Sequence, residues 1–261
     1  FHGSNMPGST VACRPPGPFD FAHMVIEHPP ASRALHTRRQ WLVFGAVSFV
    51  LVLGAHLLDE TAWRLLRDPR IYEKDIGRLF RVVGFLPTWL IVAGAVWLHD
   101  RGAHTEGRES GPGWGWRGGL VLLAPTLGGT AAELLKLLIR RLRPLPDHFE
   151  YVFRPFADGP LSNRGMGMPS SHALVAFAGA AALARVFPRS WWIWYLLATG
   201  CAVTRIMAVG HFLSDTVVAA CVGYAIGVLL SQSGNFGRAT ASSATALSAT
   251  APSATARKTA G

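Results

Sequence analysis

The chain has 261 residues, of which 50% are hydrophobic and 15% charged, and its formal net charge is +10. That charged fraction lies well below the roughly 25% of a soluble globular domain, so a soluble fold is the first class set aside. The positive charge does not point to nucleic acid: the basic residues sit at the ends of apolar runs and in connections, as in a membrane protein beside anionic lipids, and no nucleic-acid motif accompanies them.

In chain order, residues 1–40 contain several prolines and end in Arg38-Arg39. They lack the apolar stretch of a cleavable leader and read as a flexible arm. Trp41–Leu58 is a charge-free apolar run. Asp59–Arg81 follows, a charged connection in which Trp63, Leu66, Ile71 and Tyr72 alternate with Arg64, Arg67 and Arg70. That mixture predicts a short helix lying in the membrane interface. Val82–Leu98 is again charge-free, and His99–Gly118 is a Gly-rich polar connection. Gly119–Ile139 is apolar until Glu133 and Lys136.

The longest connection, Pro144–Pro169, carries Phe149, Tyr151, Phe153 and Phe156. Ala173–Phe187 is a shorter apolar run, closed by a turn at Pro188-Arg189. Trp191–Val209 is apolar up to Arg205, a turn is expected at Val209-Gly210, and Phe212–Leu230 carries only Asp215. The Ala/Ser/Thr-rich residues after Ser231 cannot bury a core and read as a disordered tail.

A spanning helix needs about 20 apolar residues, and four or five of these six runs reach that length. The expected fold is therefore all-α: a six-transmembrane-helix bundle over residues 41–230, between the arm at 1–40 and the tail at 231–261. Cys13, Cys201 and Cys221 offer neither a disulfide framework nor zinc-ligand spacing. Six spans put both termini on one side. The end of span three, the start of span four, the end of span five and the start of span six then share the opposite face. The positive-inside rule does not choose the face, because basic residues flank both.

Those four ends carry the polar chemistry. Lys136, Arg140 and Arg143 follow at i, i+4 and i+7 on one helix face, and Pro144 ends the helix. Forked guanidinium and point-like ammonium donors suit phosphate oxygens, although a snorkelling basic helix end has the same composition. Pro169-Ser170-Ser171-His172 opens the fourth run. Ser170 or Ser171 can cap that helix, whose first N–H groups then face an anion, with His172 placed as a proton donor; a plain Pro-Ser cap is the simpler alternative. His211 and Asp215 stand at i and i+4, so a carboxylate can fix the ring tautomer and free the other nitrogen for attack. A structural His–Asp pair fits the same spacing. A metal site does not, because the neighbouring clusters are cationic. Gly210 is expected to break the helix and let Arg205 turn into the same pocket.

In this order and spacing, the clusters resemble the type 2 phosphatidic acid phosphatase family, whose site is shared with bacterial acid phosphatases, glucose-6-phosphatase and vanadium haloperoxidases. The family pattern is Lys, six residues, Arg-Pro; then Pro-Ser-Gly-His; then Ser-Arg, five residues, His, three residues, Asp. Here it reads Lys136 to Arg143-Pro144, Pro169-Ser170-Ser171-His172, and Thr204-Arg205 to His211 and Asp215. Ser171 stands where the family has glycine, and Thr204 where it has serine.

The resemblance implies that His211 attacks phosphorus and forms a phosphohistidine, Asp215 orients it, and His172 transfers protons. It assigns Lys136, Arg143, Ser170, Ser171 and Arg205 to the phosphate oxygens, with no metal or other cofactor. It also implies a lipid phosphate phosphatase at the outer face of a cytoplasmic membrane, its partners being membrane lipids and a lipid phosphate substrate. Phosphatidic acid, phosphatidylglycerophosphate, undecaprenyl pyrophosphate and lipid A phosphate are candidate substrates. A lipid phosphotransferase with the same site is the second enzymatic reading, and a transporter or scaffold lined by intramembrane charges is the non-enzymatic one. Arg140 lies outside the pattern and is expected to touch a headgroup at most.

Overall fold

The structure, a computed structural model, describes residues 37–105 and 116–249, with side chains described for 37–102 and 116–233. Most of the predicted arm, the centre of the His99–Gly118 connection and residues 250–261 lie outside this range. The described residues form α1 (Arg38–Leu66), α2 (Asp75–Val83), α3 (Leu86–Thr105), α4 (Trp116–Ile139), α5 (Ser171–Val186), α6 (Trp191–Met207) and α7 (Leu213–Ala249), with single 3-10 turns at Ile71–Glu73 and Pro188–Ser190. Among them there is no β-strand, only isolated bridges Arg141 to Phe153 and Leu142 to Met166.

Helix α5 is the centre of the bundle, packed by α4, α6 and α7. Its composition explains the position: Ala and Gly fill half of Ser171–Val186, so neighbouring backbones approach closely. On α7, Gly223 and Gly227 face it four residues apart. A Cβ at Gly223 would stand 2.7 Å from the Leu174 carbonyl, and one at Gly227 2.5 Å from the Ala181 Cβ. Helix α1 begins with a capping box, in which Thr37 and Gln40 satisfy each other's backbone N–H groups. It buries only Ala55, Asp59 and Ala62, while Leu42, Phe49, Val50 and Leu57 point outward. Such an apolar exterior suits lipid.

Among the described residues, three helices are long and apolar enough to cross a membrane: α1, α4 and residues Leu213–Ser233 of α7. A fourth span results if α2 and α3, bent by 66°, are counted together. The expected straight run Val82–Leu98 is therefore broken. Pro87 falls in the first turn of α3, where its missing N–H is tolerated, and Gly84 occupies the bend. A Cβ on Gly84 would stand 2.6 Å from the His172 Cβ and 2.9 Å from the Cys201 Sγ, so only glycine lets the bend lie against α5 and α6. The short amphipathic helix is α2, later than expected, because Trp63 and Leu66 complete α1. Helices α5 and α6, with 16 and 17 residues, are shorter than a typical span. Helix α7 continues to Ala249, past the Ser231 boundary, through alanines that favour helix.

Candidate active site

The four helix ends meet. The Lys136 ammonium at the end of α4 donates to the Ser171 hydroxyl at the start of α5. The Ser170 N–H donates to the Asp215 carbonyl of α7 at 3.2 Å. His211, between α6 and α7, donates from Nδ1 to the Gly167 carbonyl at 2.8 Å. Gly167 is wedged among these groups: a Cβ there would stand 3.1 Å from Asp215 Oδ2 and 3.3 Å from Arg143 Cα. The three sequence clusters thus form one pocket.

The Gly167 bond fixes the histidine chemistry. A carbonyl only accepts, so Nδ1 carries the proton and neutral His211 presents an unprotonated Nε2. Asp215, expected to be that acceptor, is 3.6 Å from Nδ1. Its Oδ2 instead accepts the Phe212 N–H at 2.8 Å, and its Oδ1 accepts from Arg141 at 2.5 Å. Burial pushes the His211 pKa below its ordinary value; the Arg205 and Arg143 charges add to this, and Asp215 opposes it.

Two of the anion-binding candidates carry buried polar atoms without partners. Ser170 is the N-cap residue of α5, yet its side chain makes no cap hydrogen bond, contrary to the capping expectation. Its Oγ and the Arg205 Nε are both buried without a hydrogen-bond partner. Buried polar atoms of that kind call for an explanation, and an anionic ligand supplies one. Arg205 is steadied by the Tyr72 hydroxyl at 3.0 Å and lies against Gly210, where a Cβ would stand 3.0 Å from its Nη2. The left-handed residue of this turn is Val209, with φ of 54°, so Gly210 serves close approach instead of the expected helix break. Loss of hydration and the like charge of Arg205 lower the pKa of Arg143, the behaviour of cations held side by side.

His172, half-buried in the first turn of α5, meets the Phe85 ring edge-on at 5.3 Å. Ser171 takes the glycine position without strain, since it is not among the positive-φ residues. Thr204 turns its hydroxyl back to the Cys201 carbonyl at 2.9 Å, away from the pocket.

Several participants were not singled out from the sequence. Glu133 accepts from Lys136 at 2.8 Å, from Ser171 at 2.6 Å and from Asn163, which places a carboxylate inside the cationic site. Asp59 and Arg141 are buried beside Asp215. A carboxylate ending a charge-free run was the available signal for Asp59; Arg141 was masked by its basic neighbours.

Arg140 proves to be structural. It is buried, with φ of 57°, and its guanidinium donates to the carbonyls of Arg154, Pro155, Asp158 and Pro160, so no headgroup reaches it. It pins the long connection over the pocket, where Leu142 N–H donates to Val152 and Gly167 N–H to Arg141. Among the described residues, no three His, Cys, Asp or Glu side chains converge as a metal-ligand set.

Comparison with known proteins places this geometry. Residues 117–237 match the PAP2 superfamily model. The chain is 32% identical over 110 residues to proteins named lipid A 1-phosphatase from Rhizobium johnstonii and from Rhizobium etli, covering 41% of this chain and 44% and 46% of theirs. It thus spans less than half the length of these curated relatives. A crystal structure described as the first transmembrane PAP2 type phosphatidylglycerolphosphate phosphatase, from Bacillus subtilis, superposes with a TM-score of 0.50 at 18% identity. The superposition covers 73% of this chain and 94% of that one, and it shows a shared fold.

Proposed function

Residues 117–237 belong to the PAP2 superfamily, and we propose that the chain is a membrane lipid phosphatase of that superfamily, hydrolysing a lipid phosphate through a phosphohistidine on His211. The observation that carries the reading is the His211–Gly167 bond: it leaves Nε2 unprotonated in a pocket where Ser170 Oγ and Arg205 Nε are unpartnered.

In the first step Nε2 attacks phosphorus and the P–O bond to the lipid breaks. His172 protonates the leaving oxygen. In the second step His172 takes a proton from water, the hydroxide attacks phosphorus, and the P–N electrons return to His211. Lys136, Arg143 and Arg205, with Ser170 and Ser171, stabilise the equatorial oxygens throughout. The reading needs no metal, because these cations supply the charge that a metal supplies elsewhere.

Among candidate substrates, a phosphorylated glycolipid of the lipid A type stands first. The relatives' names support it, and so do Glu133 and Asn163, hydrogen-bonding groups beside Lys136 that suit a leaving group rich in hydroxyls. Phosphatidylglycerophosphate, phosphatidic acid and undecaprenyl pyrophosphate come next. In this reading the apolar runs are six spans, and α5 and α6 are short because α5 starts and α6 ends at the pocket, below the membrane surface. The site opens at the outer face of the cytoplasmic membrane.

The test is phosphate release by purified protein from a panel of those four lipids, with His211→Ala alongside. Activity on at least one lipid, lost by about 10⁴-fold in the variant, is the expected result. An active variant removes the nucleophile assignment. Inactivity on every lipid favours the transporter or scaffold, and label passing to an added acceptor lipid favours the phosphotransferase.

A further inference from the structure

Asp215 is held by a buried network that joins α1, the long connection and α7. Arg141 Nη2 donates to Asp215 Oδ1 at 2.5 Å and to the Ser214 hydroxyl at 2.7 Å. The Ser214 hydroxyl donates onward to Asp59 at 2.5 Å, and the Ser214 N–H donates to Asp59 at 2.8 Å. The Tyr151 hydroxyl completes the Asp59 carboxylate at 2.7 Å. Burial and the Asp59 charge raise the Tyr151 pKa, so this hydroxyl remains a donor. The Arg141 guanidinium packs against both the Tyr151 and Phe212 rings, 5.1 and 4.9 Å from their centroids, and the two rings meet edge-on at 5.0 Å. His56 accepts from it at 3.3 Å through Nε2, since His56 Nδ1 pairs with the Val52 carbonyl.

We propose that Arg141 is a positioning residue for phosphoryl transfer, with Asp59 and Ser214 as its anchors. Together they keep Asp215 as a fixed charge 3.6 Å from His211, while the Gly167 carbonyl alone sets the tautomer. The inference rests on His211 being the nucleophile. It goes further in giving α1, more than a hundred residues away in sequence, a part in the reaction.

The charge count gives the arrangement its purpose. Asp59 and Asp215 contribute two negative charges and Arg141 one positive, leaving one negative charge beside His211. When Nε2 bonds to phosphorus and the P–O electron pair leaves with the protonated alcohol, the ring keeps its Nδ1 proton and becomes cationic. The cluster and the ring then balance, and the charge returns when water cleaves the P–N bond. Were Arg141 lost, Asp215 would be free to swing onto Nδ1 and compete with Gly167.

Other charged groups face His211 as well: Arg205 from α6, Arg143 from the connection, and His172 from α5. They are the same in every variant below, so differences between variants report the network. The experiment measures kcat, KM and the acid limb of kcat/KM for the full chain in detergent, with the panel lipid it cleaves fastest. The variants are Asp59→Asn, Arg141→Met, Arg141→Lys and Ser214→Ala.

Asp59→Asn removes a negative charge and should move the acid limb to lower pH, whereas Arg141→Met removes a positive one and should move it to higher pH, each by about one unit. In both, kcat should fall by about 100-fold, with KM changed by less than about threefold. Arg141→Lys should restore the limb and part of kcat. If Arg141→Met does not fold, the opposition of Asp59→Asn and Ser214→Ala serves instead: the serine carries no charge, so its loss should lower kcat without moving the limb. Unchanged kcat in Asp59→Asn and Ser214→Ala, or limbs that move in one direction for both charge changes, would overturn the proposal. An active His211→Ala variant would instead overturn the nucleophile reading beneath it.

Discussion

A buried histidine with guanidinium groups nearby loses affinity for its proton, and the proposed reaction turns on that loss. His211 must be neutral to attack. Burial holds its pKa below the ordinary histidine value of 6.5, so as the proposed nucleophile it is neutral at that pH. The acid limb of kcat/KM is therefore expected below pH 6.5, and a limb above it would place the controlling group elsewhere. Glu133 makes a second residue-scale prediction. It shares Lys136 and Ser171 with the phosphate they are proposed to hold, so an arriving anion must displace a carboxylate. Glu133→Gln should tighten vanadate inhibition by about fivefold to tenfold. Weaker inhibition would mean that Glu133 instead serves to hold Lys136 in place.

Helix ends, more than helix bodies, carry this site, and they differ in how legible they were. The three clusters could be read because each places costly polar groups beside an apolar run, and their spacing survives in one dimension. The Arg141–Asp59 pairing could not, because it joins a residue inside α1 to a connection across a long stretch of sequence. The break between α2 and α3 was hidden for another reason: the hydropathy of Val82–Leu98 is continuous, and only the proximity of α5 makes Gly84 indispensable. That proximity can be tested. Gly84→Ala should press on His172, costing about 1–3 kcal/mol as overpacking and lowering kcat. Gly45→Ala, where no atom lies within 4 Å, should leave both stability and rate near wild type. Equal effects of the two changes would show that the bend does not position His172.

At the scale of the whole molecule, the described residues form a bundle with an apolar exterior, and its three polar clusters come together around the start of a central helix rich in small residues. The all-helical bundle followed from the length of the apolar runs. The span count did not, because α5 and α6 are too short to be recognised by length. Six spans with the pocket outside predict that an impermeant maleimide labels Ser162→Cys in intact cells, and that it does not label Ser190→Cys or Arg39→Cys, each in a background without the native cysteines. Labelling of Ser162→Cys and Ser190→Cys from the same side would contradict the six-span reading.

The central claim, that His211 takes the phosphoryl group from a lipid, is tested most directly by rapid acid-free quenching of the purified protein with a lipid A species carrying labelled phosphate. The account predicts a base-stable, acid-labile phosphoryl group on His211 that disappears on a chase with unlabelled substrate and is absent from His211→Ala. Steady phosphate release with no label on His211, or label retained in His211→Ala, would contradict it.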